Sequence, residues 1–397
     1  MVTFKPLQLL AVIQKISTYT PENLSPAVKS FRLVAVLLIT GMLAAGCGNS
    51  PTQQDTNTLE VQDMLGRKVM VPGQIEKVVG IGPGALRLLV YMQVTDKVVG
   101  VEEIERRTGR PYIFAHPELQ KLPVIGPPFT GDPELIAASD PDVIFKTYTT
   151  RGEADELQKK TGIPVIALRY VNPTSSWRIL DSALHLMGNV LHKTQRARQL
   201  CGYHRTLTNT LEKKTSDIRE KDKPMVYLGG LSHRGTHGIN STSPYYESFV
   251  FVNARNIARP LQKNYANNEG VMIDMEQLMV WNPPVIFIDL AGKALVEKDL
   301  QQHRQFFRKM EAFKEQQVYG IHPYNWYSTN YSTVLANAWY IGNILYPNRF
   351  NEVNPVEKAH EIYRRFLGKS VYEELKAEYG GYGRLSFPSL QPKPTTN

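Results

Sequence analysis

Two histidines four residues apart, His233 and His237, stand in a glycine-rich run from Gly229 to Thr242. On a helix, that spacing would aim both imidazoles at one metal ion. Gly229, Gly230, Gly235 and Gly238 argue for a loop instead, and no Glu lies between the histidines to act as a metalloprotease base. What remains is contact with a bound molecule, or histidines that hydrogen-bond within their own loop. A second chemically promising stretch is Gly82-Pro83-Gly84, between an apolar run at 77–81 and a helix-like run from Ala85 to Met92. Glycines between a strand and a helix leave bare backbone N–H groups at the strand's carboxyl edge, a seat for an anion or other ligand. The spacing differs from the dinucleotide fingerprint, and no acidic ribose partner follows. No Ser-His-Asp order or paired-carboxylate pattern stands out, so these residues suggest binding and no catalysis.

The elements that must hold these loops alternate between short apolar strands and helices. Residues 59–72 read as two strands about a glycine turn, followed by strands at 77–81, 98–101, 142–145 and 164–168. Helices are expected at 134–138 and 151–161. The grammar resumes with strands at 224–228, 285–289 and 317–321, and helices near 245–252 and from Glu276. An amphipathic helix is expected over 332–345, and surface helices over 355–366 and 371–377. Short buried strands alternating with helices mean mostly parallel sheets.

Between the two series lies a purely helical stretch, 174–220. Ile179, Leu180, Ala183, Leu184, Met187, Val190 and Leu191 form one apolar stripe of helical period, with Ser175 or Ser176 as cap. Gly188-Asn189 interrupts it, and Thr194 is the expected cap of a second helix. Leu200, His204, Leu207, Leu211 and Ile218 stripe that helix until Lys223-Pro224. Such a segment spans roughly 40 Å. It reads as a stiff spine between two lobes, the alternative being a surface helix of one large domain. A stiff spine implies modest lobe motion, with the largest changes in the 229–242 loop.

A chain of 397 residues exceeds one typical core, so two domains are expected. Its net charge of +9 falls partly in the first 47 residues, where Lys5, Lys15, Lys29 and Arg32 outnumber Glu22. The basic balance suits anionic ligands, but no Lys/Arg block tracks a phosphate backbone, so nucleic acid is not expected as a partner. Residues 33–45 are apolar, too short to span a bilayer and right for a signal sequence. Leu43-Ala44-Ala45-Gly46-Cys47 resembles the bacterial lipobox, whose Cys is lipidated, although Ala44 stands where Leu is more usual. The stretch ahead of it is long for a signal n-region, which points to initiation downstream of Met1. With Cys47 lipidated, Cys201 alone remains, and no internal disulfide is expected. The expected organisation is a signal peptide at 1–47, a polar tether at 48–58, an N-terminal lobe at 59–172, connecting helices at 173–222 and a C-terminal lobe at 223–397.

One internal echo links the lobes. Glu134, Pro141 and Val143-Ile-Phe145 recur at the same spacing as Glu276, Pro283 and Val285-Ile-Phe287. The lipobox-like start, the Gly66-Arg-Lys-Val-Met-Val-Pro72 opening, the echoed units and the helical spine together resemble the Fe/B12-type periplasmic-binding family over about residues 58–370. Members are solute-binding proteins of ABC importers for ferric siderophores, haem and cobalamin. The stretch from Ala338 to Phe350 is similar to relatives that bind molybdate or tungstate.

That resemblance implies an α/β fold of two Rossmann-like lobes joined by a long rigid helix, with the ligand in the cleft between them. It implies a monomeric substrate-binding lipoprotein at the outer side of the cytoplasmic membrane or in the periplasm. Its partners would be an ABC permease and its ATPase. The ligand would be a ferric siderophore-type chelate, or alternatively molybdate, tungstate, cobalamin or haem, with no resident cofactor. Glu134 and Glu276 match the acidic positions that dock onto the permease. Ligand groups are expected at the strands' carboxyl ends. In the first lobe these are Gly82, Pro83, Gly84, Arg87, Tyr112, Lys146 and Tyr148. In the second they are Ser232, His233, Arg234, His237, Ser241, Thr242, Asp289, Tyr324, Asn325, Trp326 and Tyr327. Arg forks onto carboxylates or oxyanions, and Tyr and Trp faces pack flat chelates. A two-lobed metal-cofactor enzyme or scaffold would need cluster-ligating cysteines, and one spare Cys decides against it.

Overall fold

In the computed structural model, residues 58–169, 176–233, 235–264 and 270–390 are described. The signal peptide, the tether up to residue 57, Cys47, Ser175, the Ser176 side chain and Arg234 lie outside them, and Thr58 already belongs to a strand. Residues 57–397 form one compact unit.

The chain opens with an antiparallel hairpin, β1 (Thr58–Gln62) and β2 (Lys68–Pro72). The first parallel sheet follows: β3 (Val78–Ile81), β4 (Val98–Gly100), β5 (Val143–Thr147) and β6 (Val165–Leu168), in the order β4-β3-β5-β6. β3, β5 and β6 are buried at every position, as a sheet covered on both faces requires. The second sheet contains β7 (Met225–Gly229), β9 (Arg255–Asn256), β11 (Val285–Asp289), β12 (Val318–Ile321) and β13 (Gly383–Arg384), in the order β13-β12-β11-β7-β9. β13 alone runs antiparallel to its neighbour. Two-residue strands β8 (Ser241–Thr242) and β10 (Val271–Met272) pair beside it. Read from β4 and from β9, the two sheets have the same order.

The internal echo lies at matching places. Helices Pro133–Ala138 and Met275–Trp281 lead into β5 and β11, each flanked by two parallel strands. In both units the residue before the proline, Asp140 or Asn282, is left-handed, with φ of 50° and 39°. Short polar side chains tolerate that conformation best.

The spine is a helical hairpin. Helices Ser176–Val190 and Thr194–Thr215 pack on each other. They run antiparallel, since Trp177 packs against His204 while Gly188 faces Ala197. The longer helix alone spans about 33 Å at 1.5 Å per residue, short of the length the unbroken segment suggested. It stops at Thr215, well before Pro224. Thr194 is not its cap: Lys193 holds that position, because its carbonyl takes the first helical hydrogen bond, from Ala197. At one end Arg196 donates to the Tyr91 carbonyl beside the first sheet, and at the other Arg349, near the second, donates to Lys214.

Two more helices join the spine. Tyr331–Leu345 is not amphipathic: every residue from Tyr331 to Gly342 is buried. Pro355–Leu367 is not a plain surface helix, since it buries Ala359, Ile362, Tyr363, Phe366 and Leu367 and packs on helix Ala85–Tyr91 of the first lobe. One apolar cluster consequently runs from Val78 and Phe145 through Leu184, Leu200 and Leu207 to Val226 and Phe287. A close-packed interior of this kind transmits strain and resists hinging.

Candidate functional site

The carboxyl edges of the two sheets meet at the loop leaving β12. Asn325 reaches back to the second lobe, its Nδ2 lying 3.3 Å from His233 Nδ1 and 3.5 Å from the Ser232 carbonyl. Two residues on, Tyr327 reaches the first lobe. Its hydroxyl donates to Glu102 Oε2 at 3.0 Å and accepts from the Phe129 amide at 3.0 Å. Arg87, fully buried, donates to the carbonyls of Tyr327 and Ser328 at 3.1 and 3.0 Å. Tyr148 Oη lies 3.2 Å from Ser328 Oγ.

The expected anion seat is filled by the chain itself. The Gly82 amide donates to Glu102 Oε2 at 3.0 Å. Gly82 adopts φ of +92°, and a Cβ there would stand 2.6 Å from the Thr147 carbonyl, so only glycine fits. Burial pushes the Glu102 carboxyl up to about 7, the donors at Gly82 and Tyr327 offsetting this only in part. Lys146, also buried, donates to the Phe129 carbonyl at 2.8 Å, and burial lowers its pKa. Four non-glycine residues here carry left-handed backbones: Phe129, Tyr148, Tyr327 and Ser328, with φ of 72°, 48°, 45° and 73°. Strain of this sort concentrates where function constrains the chain.

The second lobe mirrors part of this pattern. Asp289, at the end of β11, accepts from the Ser232 and Ala291 amides at 3.2 and 3.0 Å, and burial pushes it up to about 7. The 229–242 loop is laced to itself: His237 Nε2 lies 2.8 Å from the His233 carbonyl, and Ser241 Oγ donates to the Leu231 carbonyl. His237 is thus engaged in its own loop, and the two rings do not converge on a metal.

The structure therefore gathers Gly82, Arg87, Lys146, Tyr148 and Tyr327 on one side of the bridging loop and Ser232, His233, Asp289 and Asn325 on the other. Trp326 is half-buried between Asn325 and Tyr327. Pro83 and Gly84 line the turn after β3, where the Pro83 carbonyl accepts from Thr147. Tyr112 sits beneath Arg87, its ring 5.5 Å from the guanidinium and its hydroxyl donating to Glu105. Thr242 and Tyr324 are buried, the Tyr324 ring packing on Tyr246. Glu134 and Glu276 are exposed in the first turns of their helices. Glu102, Phe129 and Ser328 escaped the sequence reading. Their one signal is position: Glu102 follows closely on β4, and Phe129 ends a Pro-Pro-Phe turn.

Among the described residues, Asp181, Cys201 and His204 place possible metal-ligand atoms within 4.8 Å of one another. They lie on the spine, away from this cleft. Asp181 already binds His204 and Arg205, and the Arg205 charge opposes a cation. Burial, then Asp181, pushes the Cys201 thiol up to about 12. The group is an internal hydrogen-bonded network. Two surface cavities, of about 370 and 310 Å³, also lie elsewhere, one under Arg308, Phe313 and Arg384 and one beside Lys223, Phe249 and Arg259.

The chain is 24% identical over 332 residues to the molybdate-binding protein MolA of Haemophilus influenzae, covering 78% of this chain and 91% of that protein. It is 21% identical to the ABC transporter substrate-binding lipoprotein YvrC of Bacillus subtilis, covering 80% and 98%. The MolA structure bound to molybdate superposes with a TM-score of 0.62 over 79% of this chain and 98% of that one, at 21% identity. A periplasmic solute-binding protein of Veillonella parvula gives 0.64 over 81% and 97%, at 19% identity. These structures share the two-lobed fold. The match to a family of periplasmic binding proteins spans residues 78–325, more than half of the sequence, and the chain belongs to that family.

Proposed function

We propose that this protein is the substrate-binding lipoprotein of an ABC importer, holding a metal-bearing small molecule between its lobes and passing it to a permease and its ATPase. One observation carries the reading: the carboxyl edges of two similarly ordered parallel sheets converge on a single bridged cleft. The relatives named for molybdate binding and for substrate binding support capture for transport. Turnover is not expected. Among the described residues no helix is long and apolar enough to cross a membrane, and lipid on Cys47 would supply the anchor.

The first reading of the ligand is a ferric siderophore-type chelate. Phe129 and Tyr148 are 51% and 47% exposed, so aromatic faces are on offer for a flat ligand. Arg87 and Lys146 direct donors at backbone carbonyls, which leaves fewer for a small tetrahedral oxyanion. Molybdate or tungstate is the second reading, favoured by the similarity to MolA. Cobalamin and haem fit the same aromatic, basic setting less specifically.

Calorimetric titration of residues 48–397 against ferric siderophores, molybdate, tungstate, cobalamin and haem tests this. One-to-one binding of a ferric chelate is expected. Binding of molybdate alone selects the second reading, and no binding across the panel overturns the proposal.

A further inference from the structure

Glu102 is a buried carboxyl whose Oε2 accepts from Gly82 and Tyr327, while its Oε1 meets no hydrogen-bond donor among the described protein atoms. Gly82 and Glu102 belong to the edge of the first sheet, and Tyr327 to the loop leaving the second. The carboxyl therefore ties one lobe to the other where the carboxyl edges of the two sheets meet. We infer that Glu102 gates the cleft as a proton-dependent tie between the lobes, which a ligand must break to enter.

Burial favours the neutral acid, and a proton on Oε1 would leave both donors to Oε2 in place. Glu105 faces this carboxyl from its own turn, Lys146 from the end of β5 and the Tyr327 hydroxyl from the bridging loop. Arg87 grips the Tyr327 and Ser328 carbonyls and stays charged throughout, so it sets the baseline and not the pH response.

Burial holds the joined carboxyl near 7. In an opened cleft water returns, and the group falls toward the ordinary Glu value of about 4.3. The joined state thus binds the proton more tightly. It is favoured fully below the ordinary carboxylate range and is lost as pH rises through about 7. Between those limits the joined-to-open ratio changes by up to tenfold per pH unit. The left-handed backbones of Tyr327 and Ser328 are poised to relax when the tie opens.

The inference rests on the cleft being the ligand seat, but its test needs no ligand. Leu135→Cys and Met279→Cys place spin labels on exposed positions of the two matching helices. Dipolar distances are then measured between pH 5 and 8.5 in residues 48–397. The expected result is a small shift to longer distance, within what the continuous core allows, with a midpoint near 7. Glu102→Gln, which keeps the shape without the charge, should hold the short distance throughout. Tyr327→Phe removes the bond between the lobes and should shift the population toward the longer distance at every pH. A distance that ignores pH, or an equal response in wild type and Glu102→Gln, overturns the gate. A silent ligand panel would count against the transport reading and leave this measurement intact.

Discussion

Glu102, after β4, and Asp289, at the end of β11, are each a buried carboxyl taking a backbone amide from beyond the first parallel strand of its lobe. Burial pushes both up to about 7. A carboxyl whose pKa is higher folded than unfolded contributes stability that is complete below the unfolded value and disappears as pH rises through the folded one. Wild type should therefore lose melting temperature between pH 5 and 8 more steeply than Asp289→Asn does, as differential scanning calorimetry would show. Equal slopes would contradict the assignment. Little of this was legible beforehand. Tyr327 and Glu102 stand 225 residues apart, and a tie of that range leaves no mark on local periodicity or spacing. Asp289 was visible because a carboxylate at the end of an apolar strand is a local signal.

At the scale of elements, the apolar stripes located both spine helices, because burial of one helix face is written in a 3.6-residue period. Their folding into a hairpin was not legible, since it depends on pairings such as Asp181 with His204 and Arg205. Burial works against the Asp181 carboxylate, but hydrogen bonds from His204 and Arg205 outweigh it and hold the group at about 2. Asp181→Ala strands a buried imidazole and should cost roughly 2 kcal/mol in urea unfolding, with Arg205, mostly in solvent, contributing little. Gly292 is a second test. A Cβ there would overlap the Gly230 and His237 carbonyl oxygens, so Gly292→Ala should displace the 229–242 loop and weaken ligand binding more than it lowers the melting temperature. Helix Tyr331–Leu345 escaped correct reading because polar residues such as Asn337 mimic a wet face. Asn337 is in fact buried, bonded to His322 and Tyr382.

For the whole molecule, the repeat of Glu, Pro and Val-Ile-Phe was the most informative stretch, because it encodes a helix–strand unit that each lobe must build. It also places Glu134 and Glu276 at equivalent exposed helix starts. Each carboxylate also favours its helix dipole by about 0.3–1 kcal/mol. Charge reversal at both should abolish ligand uptake by cells while leaving affinity unchanged in solution, and lost affinity would remove them from the docking role. The continuous core through the spine predicts little change in radius of gyration on ligand binding by small-angle scattering. The most direct test of the central claim is a crystal structure of the ligand-soaked protein, with anomalous scattering from iron or molybdenum. The metal is expected between Gly82 and Tyr148 on one side and His233 and Asn325 on the other, with Tyr327 withdrawn from Glu102. Metal density confined to the cavity under Arg308 and Arg384, or to Asp181, Cys201 and His204, would contradict it.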